Sequence, residues 1–326
     1  MHKPNIAFVT GGYSREAEIS YKSAVTIAAN IDAAKYNAYT IDIRTDGWWH
    51  TTTTGETIAV DKNDFSLTIN GEHIGFDAVL IGIHGTPGED GKLQGYFDML
   101  NLPYSSCNAA VSALTFNKRF AVAMAAASGI HVAKGLHFYK HHAIDVPEVA
   151  SQLQFPVFVK PANGGSSIGM SKVPDATGLQ AALTLAFSED DQVLVEECIE
   201  GREFTVGVAR LNGKITVLPI TEVESENYFF DFEAKYQGKN KETTPANLEQ
   251  DKAEKVRETA VKIYEAFNCK GVIRIDFIYN AAKDAPFMLE INTIPGQSAA
   301  SVVPQQVQAM GMSLKDFYSQ LIDACL

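Results

Sequence analysis

The chain has 326 residues, 46% of them hydrophobic and 20% charged. This is the composition of a soluble globular protein, and the length exceeds one ordinary core, so two or three domains are expected. The formal net charge of -12 argues against a general nucleic-acid binder, which needs a phosphate-neutralising surface, but leaves room for a local basic pocket around a small anion.

No apolar run approaches membrane-spanning length, so no membrane insertion is expected. The chain enters a strand-like run at residues 5–9 almost at once, and no signal peptide is expected. Cys107, Cys198, Cys269 and Cys325 are far apart, with no C-x-x-C pair. A zinc ribbon is excluded, a disulfide framework is disfavoured, and a reducing, cytoplasmic setting fits.

The first elements read β-α-β. Residues 6–9 predict a buried strand, Gly11 to Ser14 a turn with Ser14 as N-cap, and residues 15–30 a helix. A strand at 39–43 follows. A polar, Thr-rich excursion with Trp48 and Trp49 runs to about Gly75, before a buried parallel-type strand at 78–83 that ends at His84-Gly85. Gly88-Glu89-Asp90-Gly91 leads into a helix over 92–100. Residues 1–106 thus form a small doubly wound α/β domain, and both Gly-rich strand ends lie on its ligand-binding edge.

Residues 107–200 read as an α+β lobe, with helices at 109–115, 118–128 and 177–187 and strands at 135–139, 157–160, 168–172 and 192–197. Residues 201–326 open with strands at 203–210 and 214–220. The stretch 222–247 is long, charged and aromatic-rich, the profile of a lid or binding loop. A helix at 248–267, a hairpin and a helix at 313–325 complete the chain.

The hairpin is the most informative segment. In Val272-Ile273-Arg274-Ile275-Asp276-Phe277 and Phe287-Met288-Leu289-Glu290-Ile291-Asn292, polar residues two apart share one strand face. Pairing brings two carboxylates, an amide and a guanidinium together. Hard oxygen ligands of this kind suit Mg²⁺, with positions left for substrate phosphates. The same pattern also fits a solvated ion-pair face.

At 158–170 a strand ends in Lys160 and meets the loop Asn163-Gly164-Gly165-Ser166-Ser167. Consecutive backbone N–H groups and two hydroxyls in such a loop can cradle phosphate. Met170 stands where a P-loop needs lysine, and no helix follows, so a P-loop NTPase is not expected. The 193–204 segment reads as an acidic inter-lobe linker that could offer backbone hydrogen bonds to an adenine edge.

Lys160 with its loop, Glu196 to Glu203, Arg274-Ile275-Asp276 and Glu290-Ile291-Asn292 together resemble an ATP-grasp enzyme. Gly11-Gly12-Tyr13-Ser14-Arg15-Glu16-Ala17-Glu18-Ile19-Ser20, His84-Gly85 through Gly91, Glu233-Ala234-Lys235-Tyr236 and Asn292-Thr293-Ile294-Pro295-Gly296 resemble the D-alanine–D-alanine ligase family more closely, in order and over nearly the whole chain. The resemblance implies an N-terminal doubly wound preATP-grasp domain followed by a two-lobed ATP-grasp fold. It implies ATP-dependent joining of two D-alanine molecules through an acyl phosphate, for peptidoglycan precursors.

By the same resemblance, Glu16 holds the ammonium of the first D-alanine, aided by Ser20 and His84. Lys118, Lys160 and Lys235 hold ATP phosphates, with Ser167 in their loop. Glu196, Ile199 and Glu203 line the adenosine pocket. Ser166 and Tyr236 form a closing hydrogen-bonded set with Glu16. Arg274 and the Gly296 N–H face the developing oxyanion, and Ser301 with Val302 anchors the second carboxylate. Asp276, Glu290 and Asn292 bind two Mg²⁺, with Mn²⁺ as a substitute. A homodimer is expected.

The chain departs from the commonest family pattern at Ala17, Asn163-Gly164, Glu197, Phe230 and Phe232. Glu197 replaces a lysine near the adenine. Tyr236, where depsipeptide ligases tend to carry phenylalanine, favours an amine nucleophile. An ATP-grasp ligase for other substrates would lack the Glu16, Ser20 and Ser301 set, and a silent binding protein would lack the metal and phosphate residues.

Overall fold

The structure, a computed structural model, describes residues 3–165, 168–225 and 240–326. Ser166, Ser167, Phe230, Phe232, Lys235 and Tyr236 lie outside the described residues.

β1 (Asn5–Gly11) pairs in parallel with both β2 (Asn37–Arg44) and β7 (Ala78–Ile81). Its Ile6 to Val9 run is fully buried, as a strand covered on both faces requires. Helix α1 (Ala17–Asn30) makes the crossover to β2. The expected N-cap at Ser14 is displaced: Glu16 takes the cap position, and Ser14 Oγ accepts from the Glu16 N–H at 3.2 Å.

The polar excursion over 47–74 is built of short strands. β3 (Gly47–Thr51) and β4 (Thr57–Ala59) extend the sheet antiparallel, and β5 (Leu67–Ile69) with β6 (Glu72–Ile74) forms a small hairpin. Threonine and tryptophan favour half-buried pleated surfaces. Trp48 packs edge-on against Phe65 and Tyr96, with ring centroids 6.0 and 5.2 Å away.

Beyond α2 (Lys92–Met99), Asn108 and Asn117 cap α3 (Ala109–Phe116) and α4 (Lys118–Ala127), accepting from Val111 N and Phe120 N. Both helices contact the C-terminal hairpin, and Cys107 and Ala125 belong to the C-terminal core. The central sheet runs β10 (Ser171–Val173), β9 (Val157–Pro161), β11 (Gln192–Glu197), β8 (Gly135–Tyr139), all antiparallel. The strand expected at 168–172 begins only at Ser171, after a turn at Gly169 with φ +72°. Two helices, α5 (Val146–Gln152) and α6 (Leu179–Glu189), close this lobe around its own apolar core. Sequence reasoning missed α5, although its Asp145 cap and early proline are start signals.

The C-terminal sheet has the order β15 (Asn240–Thr243), β14 (Thr221–Ser225), β12 (Arg202–Leu211), β16 (Val272–Asn280), β17 (Ala285–Asn292), with β13 (Lys214–Val217) also on β12. One face of β16, carrying Ile273, Ile275 and Phe277, is buried in the same core as residues of α7 (Gln250–Ala266). The other face carries Arg274 and Asp276. A second core joins Ile6, Phe8, Ile27 and Leu80 to Val303 of α8 (Val302–Ala309) and Phe317 of α9 (Leu314–Asp323), welding the first domain to the last lobe. No described helix is long and apolar enough to cross a membrane.

Candidate active site

Glu16 sits where three pieces of chain meet. A side chain on Gly85 would place its Cβ 2.3 Å from Glu16 Oε2, and one on Gly165 would come 2.5 Å from Oε1. The backbone at Gly85 of the first domain and at Gly165 of the central-lobe loop thus lies close against this carboxylate. Gly85 also has φ +67°, which glycine tolerates best. Ser20 Oγ accepts from the His84 N–H at 2.9 Å, and the His84 ring Nε2 lies 2.9 Å from Ser23 Oγ. Burial, with a contribution from Arg274, lowers His84 to about 4 against the pull of the Ile294 carbonyl. The ring is a neutral imidazole near pH 7.

Glu89 was visible in sequence only as part of a Gly-rich motif. In the fold it clamps two loops: Oε2 accepts from the Gly85 N–H at 2.7 Å and Oε1 from the Ile294 N–H at 3.4 Å. Burial, then the Glu16 charge, pushes its carboxyl up to about 8.

Across the site, β16 and β17 pair in the register that places Asp276 opposite Glu290 and Arg274 opposite Asn292. Arg274 Nε and Nη2 donate to the two oxygens of Asp276 at 2.9 and 2.8 Å, and Nη2 lies 3.8 Å from Glu290 Oε1. Asp276 also accepts from Thr205 Oγ1 at 2.5 Å and Asn292 Nδ2 at 3.4 Å. Burial alone would weaken the Arg274 charge, but Asp276 and Glu290 hold it protonated.

A cavity of about 360 Å³ is lined by Glu16, His84, Arg274, Gly296, Ser301 and Val302, among others. Gly296 packs closely on Ser301, since a Cβ there would lie 2.8 Å from Ser301 Oγ. Ser301 precedes α8, and Ser301, Val302 and Val303 line the cavity, so a helix N-terminus, an end that favours anions, lies at its wall. A second cavity of about 840 Å³ has apolar walls from Phe158, Met170, Ile199, Ile278 and Leu289, and polar groups from Lys160, Glu196 and Glu203. A few polar groups in an apolar cleft are the usual make-up of a small-molecule site. Lys118, Gly164, Gly165, Glu203, Val223, Asp276 and Glu290 line both cavities and so form the seam between them.

The phosphate-type loop is braced from several sides. Lys118 Nζ donates to Gly164 O at 2.6 Å, and Asn163 bonds Asp190 Oδ2 through its N–H and its amide at 2.7 and 2.8 Å. Lys160 Nζ pairs with Glu196 Oε2 at 2.5 Å, both side chains nearly buried. Glu197 Oε1 accepts from the Gln154 N–H at 2.9 Å. The Glu197 carboxylate is thus tied to its own lobe. Among the described residues, no three or more His, Cys, Asp or Glu side chains cluster to hold a metal. Asp276 and Glu290 nonetheless face each other across the hairpin at the seam, with the Asn292 amide 3.4 Å from Asp276, and two carboxylates with one amide oxygen fit Mg²⁺, whose other positions go to phosphate and water.

Family models described as "D-ala D-ala ligase N-terminus" and "D-ala D-ala ligase C-terminus" match residues 5–107 and 124–323. A D-alanine–D-alanine ligase of Parabacteroides distasonis is 46% identical over 321 residues, covering 98% of this chain and 97% of that one. That of Flavobacterium johnsoniae is 44% identical over 322 residues, 99% of each chain. Among solved structures, the VanG D-Ala:D-Ser ligase of Enterococcus faecalis superposes with TM-score 0.89 at 30% identity over 100% of both chains. A Bacillus anthracis D-alanine–D-alanine ligase complexed with ATP gives 0.78 at 25% identity, over 98% of this chain and 96% of that one.

Proposed function

This chain belongs to the D-alanine–D-alanine ligase family, and from that premise we propose how its residues divide the ATP-dependent joining of two D-alanine molecules. The observation that carries the reading is the seam: a cavity suited to two small amino acids shares Lys118, Asp276 and Glu290 with one suited to a nucleotide. The γ-phosphate of ATP belongs at that seam.

Glu16 binds the ammonium of the first D-alanine, with Ser20 and His84 shaping the pocket. The carboxylate oxygen of that molecule attacks the γ-phosphorus and ADP leaves, giving an acyl phosphate. Lys118, Lys160, Lys235 and Ser167 hold the phosphates, and Glu196, Ile199 and Glu203 hold the adenosine. Such transfer depends on positioning and charge neutralisation rather than on a protein nucleophile. Asp276, Glu290 and Asn292 are the residues for two Mg²⁺, with Mn²⁺ able to substitute; when bound, these ions neutralise phosphate charge.

Ser301 and Val302 at the α8 terminus hold the carboxylate of the second D-alanine. Its amine attacks the acyl carbon, and the oxyanion that develops meets the Arg274 guanidinium and the Gly296 N–H. Phosphate departs and the dipeptide remains, a precursor for peptidoglycan. Ser166 and Tyr236 complete a hydrogen-bonded set with Glu16, and the 222–247 segment excludes water from the acyl phosphate.

The three units are proposed at 1–106, 107–200 and 201–326. A homodimer is proposed through helices of the first domain, where Val25 and Met99 are 74% and 77% exposed. A cytoplasmic setting suits four free cysteines and an ATP-consuming reaction. The test is phosphate release from ATP and Mg²⁺ with product analysis. Release that requires D-alanine and yields the dipeptide supports the reading, and release independent of D-alanine rejects it.

A further inference from the structure

A run of buried hydrogen bonds extends from the donor pocket to the last helix. The Gln297 N–H donates to Ser23 Oγ at 3.1 Å, and Ser23 Oγ lies 2.9 Å from His84 Nε2. The Tyr318 hydroxyl donates to Gln297 Oε1 at 3.0 Å. The Ile294 carbonyl is a further partner of the His84 ring. Ser23, His84, Gln297 and Tyr318 are each at most 6% exposed.

The donor and acceptor directions are mutually consistent for one tautomer. A neutral His84 donates to the Ile294 carbonyl and accepts at Nε2 from the Ser23 hydroxyl, whose oxygen accepts from the Gln297 N–H. The segment 294–297 is thereby held at both ends by groups of the first domain. Gly296 lies inside this span and lines the amino-acid cavity. Tyr318 holds the same segment through the Gln297 side chain, with a ring that otherwise serves the apolar core.

We infer that Ser23, Gln297 and Tyr318 are positioning residues, which fix the 294–297 segment so that the Gly296 N–H meets the oxyanion of the ligation step. None of the three lines the amino-acid cavity; they act through Gly296 and His84. The inference rests on the role given above to the Gly296 N–H. Buried polar networks of this kind rigidify when every member is satisfied, and a misplaced oxyanion donor forfeits transition-state stabilisation rather than substrate binding.

The test compares Tyr318→Phe, Ser23→Ala, Gln297→Met and the Tyr318→Phe/Gln297→Met double variant with the parent enzyme. Each is measured for thermal stability, for KM of ATP, for kcat, and for binding of a phosphinate analogue of D-alanyl-D-alanine. The expected result is kcat lowered about tenfold and phosphinate affinity lowered in parallel, with KM for ATP unchanged. The double variant is expected to match Gln297→Met alone, because Tyr318 acts only through that side chain. Additive losses, or equal losses in ATP binding and stability with phosphinate affinity intact, would make the network merely structural and overturn the inference. Tyr318→Phe deletes a single oxygen and keeps the test open if Ser23→Ala does not fold. A parent enzyme that forms no dipeptide would instead reject the underlying reaction.

Discussion

Replacing Arg274 with methionine removes a guanidinium and keeps most of the side-chain volume. The structure sets what is lost: two charge-assisted bonds to Asp276, at 2.9 and 2.8 Å, and the neighbouring charge 3.8 Å from Glu290. Breaking a buried pair from one side costs about 3–5 kcal/mol, because the remaining charge stays buried without its partner. Asp276 keeps its bonds from Thr205 and Asn292, which favours the lower end, about 3 kcal/mol. For a cooperative unit of roughly 200 residues this is a fall in Tm of about 6–12 °C. The same variant frees Asp276 from its competitor for Mg²⁺. Magnesium at about a hundredfold excess over its Kd should then return about 2.7 kcal/mol. Activity stays low even so, since loss of an oxyanion donor costs about 10²–10³ in kcat. Thermal melts with and without Mg²⁺, beside steady-state ligation rates, read all three effects. An unchanged metal-free Tm together with kcat within about threefold of the parent would refute the reasoning.

Gly85→Ala forces a Cβ to within 2.3 Å of Glu16 Oε2 at a positive φ; kcat/KM for D-alanine should fall about tenfold or more while KM for ATP holds, as expected for a misplaced binding group. Lys160→Met leaves Glu196 without its 2.5 Å partner and should both lower Tm and raise KM for ATP about tenfold or more, whereas Glu196→Gln with Lys160 retained should raise it less. The folded protein keeps His84 neutral down to about 4, while the unfolded chain takes up its proton near 6.5. Stability should therefore fall as pH drops through that window, and His84→Gln should flatten this limb in denaturant titrations. Glu89 works on the alkaline side: the folded protein retains its proton up to about 8, against 4.5 unfolded. Stability should decline as pH rises between those values, and Glu89→Gln should remove the decline.

The β16–β17 clamp was legible because strand alternation fixes which side chains share a face, and hairpin pairing needs only local sequence. The loop after Lys160 was read instead from its run of Gly and Ser, and the role of Glu16 came only from the family resemblance. Strands β3 to β6 were not, because polar, threonine-rich composition conceals a pleated surface whose Trp48 packs on Phe65 and Tyr96 in the first domain's core. The contact of Glu89 with Ile294 spans 205 residues, and that of Gln297 with Ser23 spans 274. No local pattern encodes contacts of that range; they arise when the apolar faces of α1, α8 and α9 meet in one core. Glu197 is instructive in another way. Sequence marked it as a departure from the family pattern near the adenine, and the fold gives its carboxylate a partner at Gln154 N.

The most direct test of the account follows one oxygen atom. D-alanine labelled with ¹⁸O in its carboxylate is incubated with the enzyme, ATP and Mg²⁺, and the released phosphate is analysed by mass. An acyl phosphate made by attack of that carboxylate on the γ-phosphorus transfers one labelled oxygen to phosphate with each dipeptide formed. Phosphate that carries no label while dipeptide accumulates would contradict the proposed route.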